Sequence, residues 1–366
     1  MIPLGPPLRT LALGLVLAVA GGCVAIPHGD QEDSKALRAQ IQTLEARVLA
    51  VESRREQIPA VVANARAAVA FIWGTYTFVD AEGRPLRHVL NELREPVADP
   101  RGVPLVDLMG TGPIAVMNYT GTAFLVGRQG ELLTNRHVAQ PWWEDEASAP
   151  LLAAGLRPVF LRLRAFFQEQ VEPVPIEVLR VDAEQDIALV RTVGWVPSAE
   201  PLPIHRQADP IPEGQPVILI GYPTGLDAVL AKLDAPELIA LEAATGADDY
   251  AMTERLAEAH RLRPTITGGF LWEALPHMLV YDAQTTGGGS GGPLLDRQGR
   301  VIGVNTAYLP EFRGGNFGVP IRFGLALFEG SGIEASAPTH ETPDPLTQEP
   351  SITKTSPERS HQRNGR

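Results

Sequence analysis

Three short blocks of this chain hold side-chain types that could together make a serine attack a carbonyl carbon. In TNRHVAQ, His137 follows the apolar run ELL; in DAEQDIALV, Asp186 precedes IALV. In GGGSGGPLL, Ser290 sits among glycines between the apolar runs MLVYDA and VIGVNTA. A serine hydroxyl is a poor nucleophile unless a base takes its proton. The base must be held in one tautomer by an acid, and the developing oxyanion needs two N–H donors. Glycines around Ser290 allow a tight turn whose successive amides point one way. Histidine, aspartate and serine in that order, each at a strand edge, supply these parts. Singly, each has a plainer reading. His137 is one of eight histidines, Asp186 shares its turn with Asp182 and Glu184, and a Gly-Ser run is most often a flexible linker. The linker reading fails because apolar strands close in on both sides of GGGSGG. The run also lacks the Gly-Lys-Ser/Thr of a phosphate loop.

The elements that must position these residues are mostly β. From 61 to 330 the chain alternates short apolar runs (AVAFIWGTYTFV, GTAFLVG, VFLRLRAFF, IEVLRV, PVILIGY) with Gly, Pro, Asp and Asn, the pattern of sandwiches and barrels. One segment departs from it, Leu226 to Arg263. Asp234 caps a helix through LIALEAATG, and Asp248 or Asp249 caps another through MTERLAEAHRLR, which Pro264 stops. This predicts a helical hairpin inserted at 226–263. It either controls the cleft and the Gly-rich loop or is a surface excursion without a role.

Composition narrows the function. A net charge of −12 with 6% aromatic residues argues against nucleic-acid binding. A single cysteine excludes a disulfide framework and any multi-cysteine metal site, and no cofactor or metal is expected. That cysteine, Cys23, ends a leader with Arg9 as its one charge and an apolar run from Leu11 to Ala20. The run is short for a membrane span of roughly 20 residues. The block LAVAGGC resembles a bacterial lipoprotein signal, which makes 1–23 a signal peptide and Cys23 the lipidated residue; an ordinary signal peptide or an uncleaved anchor are the alternatives. Within the following linker, 24–60, Leu37, Ile41, Leu44, Val48 and Val51 alternate spacings of four and three, the seam of a short coiled coil. Residues 34–58 thus form either a homo-oligomer contact or a spacer. The tail, 331–366, is rich in Ser, Thr, Pro and charge and is expected to be disordered.

The sequence resembles the trypsin-like serine proteases, and among them the bacterial HtrA/Deg branch. The resemblance rests on GTAFLVGRQGELLTNRHV, DIALVR, PVILIGYPTG, YDAQTTGGGSGGPLLDRQGRVIGVNTA and NFGVPI. It implies two six-stranded antiparallel β-barrels with the active site in the crevice between them. It implies Ser290 as nucleophile, His137 as general base, Asp186 as its orienter, and an oxyanion hole from the N–H groups of Gly288 and Ser290. Gln284, Thr285, Thr286, Asn305, Thr306 and Ala307 would line the pocket for the residue before the cut, with Asn316, Phe317 and Gly318 closing it. Gln284 stands where a trypsin has its carboxylate, which predicts cleavage after small or medium uncharged residues; Asp282 is expected outside the pocket. Two departures stand out. Gly289 replaces the usual Asn or Asp, so the loop is expected to be unusually free. The residues after NFGVPI are too few for the PDZ domain typical of HtrA proteins. The expected protein is a periplasm-facing lipoprotein peptidase of a bacterial envelope, with Val24 and Ala25 favouring the outer membrane. A catalytically silent tethering or peptide-binding module is the alternative.

Overall fold

Each strand of this protein is fixed by which of its faces finds apolar cover. A computed structural model describes residues 39–45, 61–206, 211–246, 248–308 and 315–327. Cys23, the leader, most of the 34–58 seam and the 331–366 tail lie outside the described residues. The helical residues 39–45, with Ile41 and Leu44 exposed, belong to a separate unit, Met1–Gln57.

Residues from 61 onward build two closed barrels. The first contains β1 (Val69–Val79), β4 (Met117–Leu125), β5 (Glu131–Thr134), β6 (Arg157–Phe167), β7 (Val174–Val181) and β8 (Ala188–Thr192), in the order β1-β4-β5-β8-β7-β6. The second contains β9 (Pro216–Gly221), β10 (Thr265–Ala274), β11 (Leu279–Tyr281), β12 (Pro293–Leu295), β13 (Val301–Tyr308) and β14 (Asn316–Pro320), in the order β10-β11-β14-β13-β12-β9. Neighbouring strands of both barrels pair antiparallel, as expected. Closure pairs most strand edges and turns alternate side chains inward, although β6 and β7 share only two pairs. Val217, Leu219, Leu271, Tyr281, Leu294 and Ile302 fill the second barrel. Short helices complete the fold: α1 (Arg136–Ala139), α2 (Ala149–Ala153), α3 (Asp227–Leu230), α4 (Ala235–Thr245), α5 (Asp249–Glu258) and α6 (Ile321–Ala326).

β1 is buried along its whole length, VAFIWGTYTFV. A barrel strand needs cover on its outer face for that, and the inserted hairpin provides part of it, while Leu86, Ala115 and Trp142 pack with its Tyr76–Phe78 end. Tyr250 of α5 packs edge-on against Trp73 of β1 at 5.6 Å and Phe166 of β6 at 6.2 Å. Met252, Leu256 and Ala257 join the same core as Phe71 and Ile72. The insertion therefore leaves the second barrel after β9, covers the first barrel and returns as β10. It is structural cover, not an idle excursion. Its caps behave as read. Asp234 accepts from Glu237 N–H at 2.8 Å while Glu237 accepts from Asp234 N–H at 3.0 Å, and Gly246 ends α4 at φ +64°. For α5 the cap is Asp248, which accepts from Ala251 N–H at 2.9 Å.

The Pro-rich stretch after β1, which holds β2 (Arg87–His88) and β3 (Val106–Asp107), is a chain of similar tight turns. Asp80, Asn91 and Asp99 each accept from the backbone N–H four residues on, at 2.8–2.9 Å. Gly83, Arg94 and Gly102 take positive φ in those turns. Val89, Val97 and Leu105 donate N–H bonds to one another's carbonyls in a closed ring of 2.7–2.9 Å.

Candidate functional site

His137 lies in α1, one turn beyond β5, and Asp186 lies just before β8. The pairing of those strands, Thr134 opposite Ala188, sets the two side by side. The Asn135 amide donates to the Asp186 carbonyl at 2.7 Å and ties the two loops together. One Asp186 oxygen accepts from His137 N–H at 3.0 Å; the other meets His137 Nδ1 at 2.8 Å and accepts from the Thr306 hydroxyl. Burial alone would raise the Asp186 carboxyl, but its hydrogen bond to His137, the histidine's charge and the Thr306 hydroxyl outweigh that and hold it below the ordinary carboxylate value. A carboxylate at Nδ1 places the ring proton there and leaves Nε2 with its lone pair.

Ser290 comes from the second barrel, in the turn between β11 and β12. Four carbonyls of this turn are tied down. Gly287 O accepts from Thr224 N–H at 2.5 Å, and Gly288 O accepts from the Thr122 hydroxyl at 2.9 Å. Gly289 O accepts from Gly292 N–H at 3.1 Å, and Ser290 O from Thr122 N–H at 2.8 Å. In a planar trans peptide the N–H points opposite to the C=O. The N–H of Gly288 therefore faces away from Thr224 and that of Ser290 away from Gly292, and neither makes a hydrogen bond among the described residues. Only glycine fits at three positions here. Gly288 has φ +83°, and a Cβ on it would lie 2.6 Å from Gly225 N; Gly291 has φ +88°, and a Cβ there would overlap Thr122 O; a Cβ on Gly292 would lie 2.5 Å from Ile220 O. Gly287, by contrast, has open space where a Cβ would stand. The loop expected to be free is anchored through its carbonyls.

The Ser290 hydroxyl donates to the Thr306 carbonyl at 3.0 Å. Thr306 thus touches both halves of the site, its hydroxyl on Asp186 and its carbonyl on Ser290. Sequence reasoning placed Thr306 in the pocket wall and missed this bridging position. It also missed Thr122, Asn135 and the Tyr222–Gly225 turn, whose partners are distant in sequence.

Gln284, Thr285, Thr286 and Asn316 line a cavity of about 600 Å³ beside this loop. Asp282 lines it too; its carboxylate accepts from Phe270 N–H at 2.5 Å. Asn305 and Thr306 do not line it. Asn305 is buried, bonded to Tyr281 Oη at 2.5 Å and Thr285 Oγ1 at 3.3 Å, so it braces the wall from behind. Phe317 and Gly318 do not line it either, and the Ala307 side chain lies outside the described residues. Among the described residues no three His, Cys, Asp or Glu gather to hold a metal ion.

The family model described as "Trypsin-like peptidase domain" matches residues 121–304, half of the chain, a span that includes His137, Asp186 and Ser290. This chain belongs to the trypsin-like peptidases. The peptidase is similar to the putative serine protease HhoB of Synechocystis sp., 28% identical over 56% of this chain and 38% of that protein. It is likewise similar to Protease Do-like 1, chloroplastic, of Arabidopsis thaliana, 28% identical over 57% of this chain and 38% of the relative. It spans about two fifths of the length of these two relatives. Among solved structures, the Rv3671c protease of M. tuberculosis in its active form is similar at 17% identity and a TM-score of 0.41, covering 76% of this chain and 86% of that one. The HtrA-type protease AlgW with decapeptide is similar at 20% identity and a TM-score of 0.41, covering 73% and 65%.

Proposed function

We propose that this peptidase is a serine endopeptidase working through an acyl-enzyme. The observation that carries the reading is the His137–Asp186 pair, linked through Thr306 to Ser290, in a loop where the N–H groups of Gly288 and Ser290 make no hydrogen bond among the described residues. In this reading the Ser290 hydroxyl leaves the Thr306 carbonyl, gives its proton to His137 Nε2 and attacks the scissile carbonyl. The oxyanion takes the N–H groups of Gly288 and Ser290. His137 then protonates the leaving amine, and water repeats the sequence to free the acid. Asp186 keeps the imidazole in one tautomer and stabilises its cation.

The substrates are polypeptides of a bacterial envelope. The enzyme is tethered at the membrane through lipidated Cys23, with a periplasm-facing position and the outer membrane favoured, and it associates through residues 34–58. No described helix is long and apolar enough to cross a membrane. Cleavage follows small or medium uncharged residues. Gln284 is neutral, and the Asp282 carboxylate that shares its cavity is already engaged by the Phe270 N–H. A peptide library with dominant cuts after Lys or Arg would instead make Asp282 the selecting charge.

A fluorophosphonate probe tests the chemistry, because it needs both an activated serine and an oxyanion hole. Labelling of the natural chain and none of Ser290→Ala is expected; an unlabelled natural chain would sink the reading. One observation favours the alternative, a silent peptide-binding relative: the Ser290 hydroxyl rests on Thr306 and not on His137.

A further inference from the structure

The first barrel is closed unevenly. β6 pairs with β1 from Arg157 to Phe167, and β7 pairs with β8 from Ile176 to Val181. Between β6 and β7 only two pairs form, Arg164 with Pro175 and Ala165 with Val174. Beyond them the strands part, and a cavity of about 470 Å³ opens between Phe160–Arg164 and Ile176–Val178. Ala139 and Gln140, two and three residues after His137, line its end. Phe160, Leu163, Ile176 and Val178 make its walls apolar, and Leu161 is 46% exposed.

Charge sharpens what such a seam would take. Glu177 is paired with Arg191 at 2.7 Å. Arg162 and Arg164 line the same cavity, yet neither pairs with a carboxylate among the described residues of a chain carrying 43 acids. Arg162 is held over the Tyr250 ring at 4.4 Å, so the insertion fixes its direction. A parted pair of strands offers main-chain donors and acceptors to a third. Guanidinium groups beside it select carboxylates.

We propose that the open seam between β6 and β7 docks an extended, acidic segment of the polypeptide substrate, which adds a strand there and sets its carboxylates against Arg162 and Arg164. The proposal rests on the peptidase reading only for calling this segment substrate. The full-length Ser290→Ala chain tests it by fluorescence anisotropy with a labelled peptide of about twelve residues alternating Val and Glu. Binding is expected, weakened about tenfold or more by R162E/R164E, by Lys in place of Glu, and by N-methylation of alternate peptide amides. The N-methylated and Lys peptides use the same protein, so a folding defect in the double variant cannot mimic the result. Equal binding of either modified peptide would overturn the proposal. A dimer in light scattering that R162E/R164E dissociates would assign the seam to a second copy and overturn it. Binding that appears only after deletion of 331–366 would assign it to the tail and overturn it. Ser290→Ala takes no part in turnover, so these results stand apart from the fluorophosphonate labelling that tests the chemistry.

Discussion

Two stretches rich in glycine and proline hold their shapes by opposite means. The turns between β1 and β4 are held locally, each by an Asp or Asn side chain bonded four residues along its own chain. The Ser290 loop is held from far away, by Thr122 of the first barrel and Thr224 ahead of the insertion. A locally held turn survives changes elsewhere. A loop held by distant partners reports on whether the two barrels are in register. The second arrangement suits a site shared between barrels, because the loop gains these anchors only when both are assembled.

The largest expected effect falls on the residues that would do the chemistry. Ser290→Ala and His137→Ala should each remove nearly all hydrolysis of casein, with circular dichroism unchanged, since losing one member of such a unit costs about as much as losing all. Turnover by Ser290→Ala at the natural rate would overturn the assignment. Asp186→Asn should be severe as well, through the wrong tautomer.

Next comes the distant support. Thr122→Val keeps the side-chain shape and removes the hydroxyl that donates to Gly288 O and accepts from Tyr222 N–H at 3.1 Å. One buried and one part-buried partner are left unpaired, a cost of about 1–3 kcal/mol for the buried one and less for the other. Part of that appears in the oxyanion loop, so kcat should fall about tenfold or more. An unaltered kcat in a less stable protein would show the loop to be self-supporting, like the turns after β1.

Thr306→Val probes the same long-range wiring through pH. Folded Asp186 titrates below its ordinary value, so the stability it contributes is complete above that value and is lost as pH falls through the folded one. Removing the Thr306 hydroxyl raises the folded value, and the acid-unfolding midpoint should move up in pH. An unmoved midpoint would leave His137 as the sole support of the carboxylate.

The comparison also explains what could be read from sequence. The blocks around His137, Asp186 and Ser290 stood out because the chemistry proposed for them demands particular side chains at strand ends. The insertion's helices were legible from Asp234, Asp248 and Gly246, which act within a few residues. Tyr250 packing on Trp73 was not, since nothing near either residue names the other. Thr122 and Thr306 look like ordinary strand threonines until the barrels meet. The turns after β1 carry a visible period, VLNELREP, VADPRGVP, LVDLMGTGP, yet the density of proline marks the stretch as irregular.

The smallest effect should come from those turns, and two substitutions separate its parts. Asn91→Ala removes the acceptor for Leu93 N–H and Glu95 N–H, both at 2.9 Å. The unfolding midpoint should drop by a few degrees at most, because water replaces exposed partners. Arg94 occupies the positive-φ position, φ +62°, that Gly83 and Gly102 hold in the sister turns. Arg94→Gly relieves about 1–2 kcal/mol of backbone strain. It also frees the unfolded chain, which costs about 0.4–1 kcal/mol. The gain exceeds the cost, so stability should rise by at most about 1.6 kcal/mol. Neither change should alter kcat/KM on a short peptide, because among the described residues no hydrogen bond joins these turns to the Ser290 loop. A fall in kcat/KM with Asn91→Ala would mean that these locally held turns are coupled to the site after all, and the contrast between the two stretches would collapse.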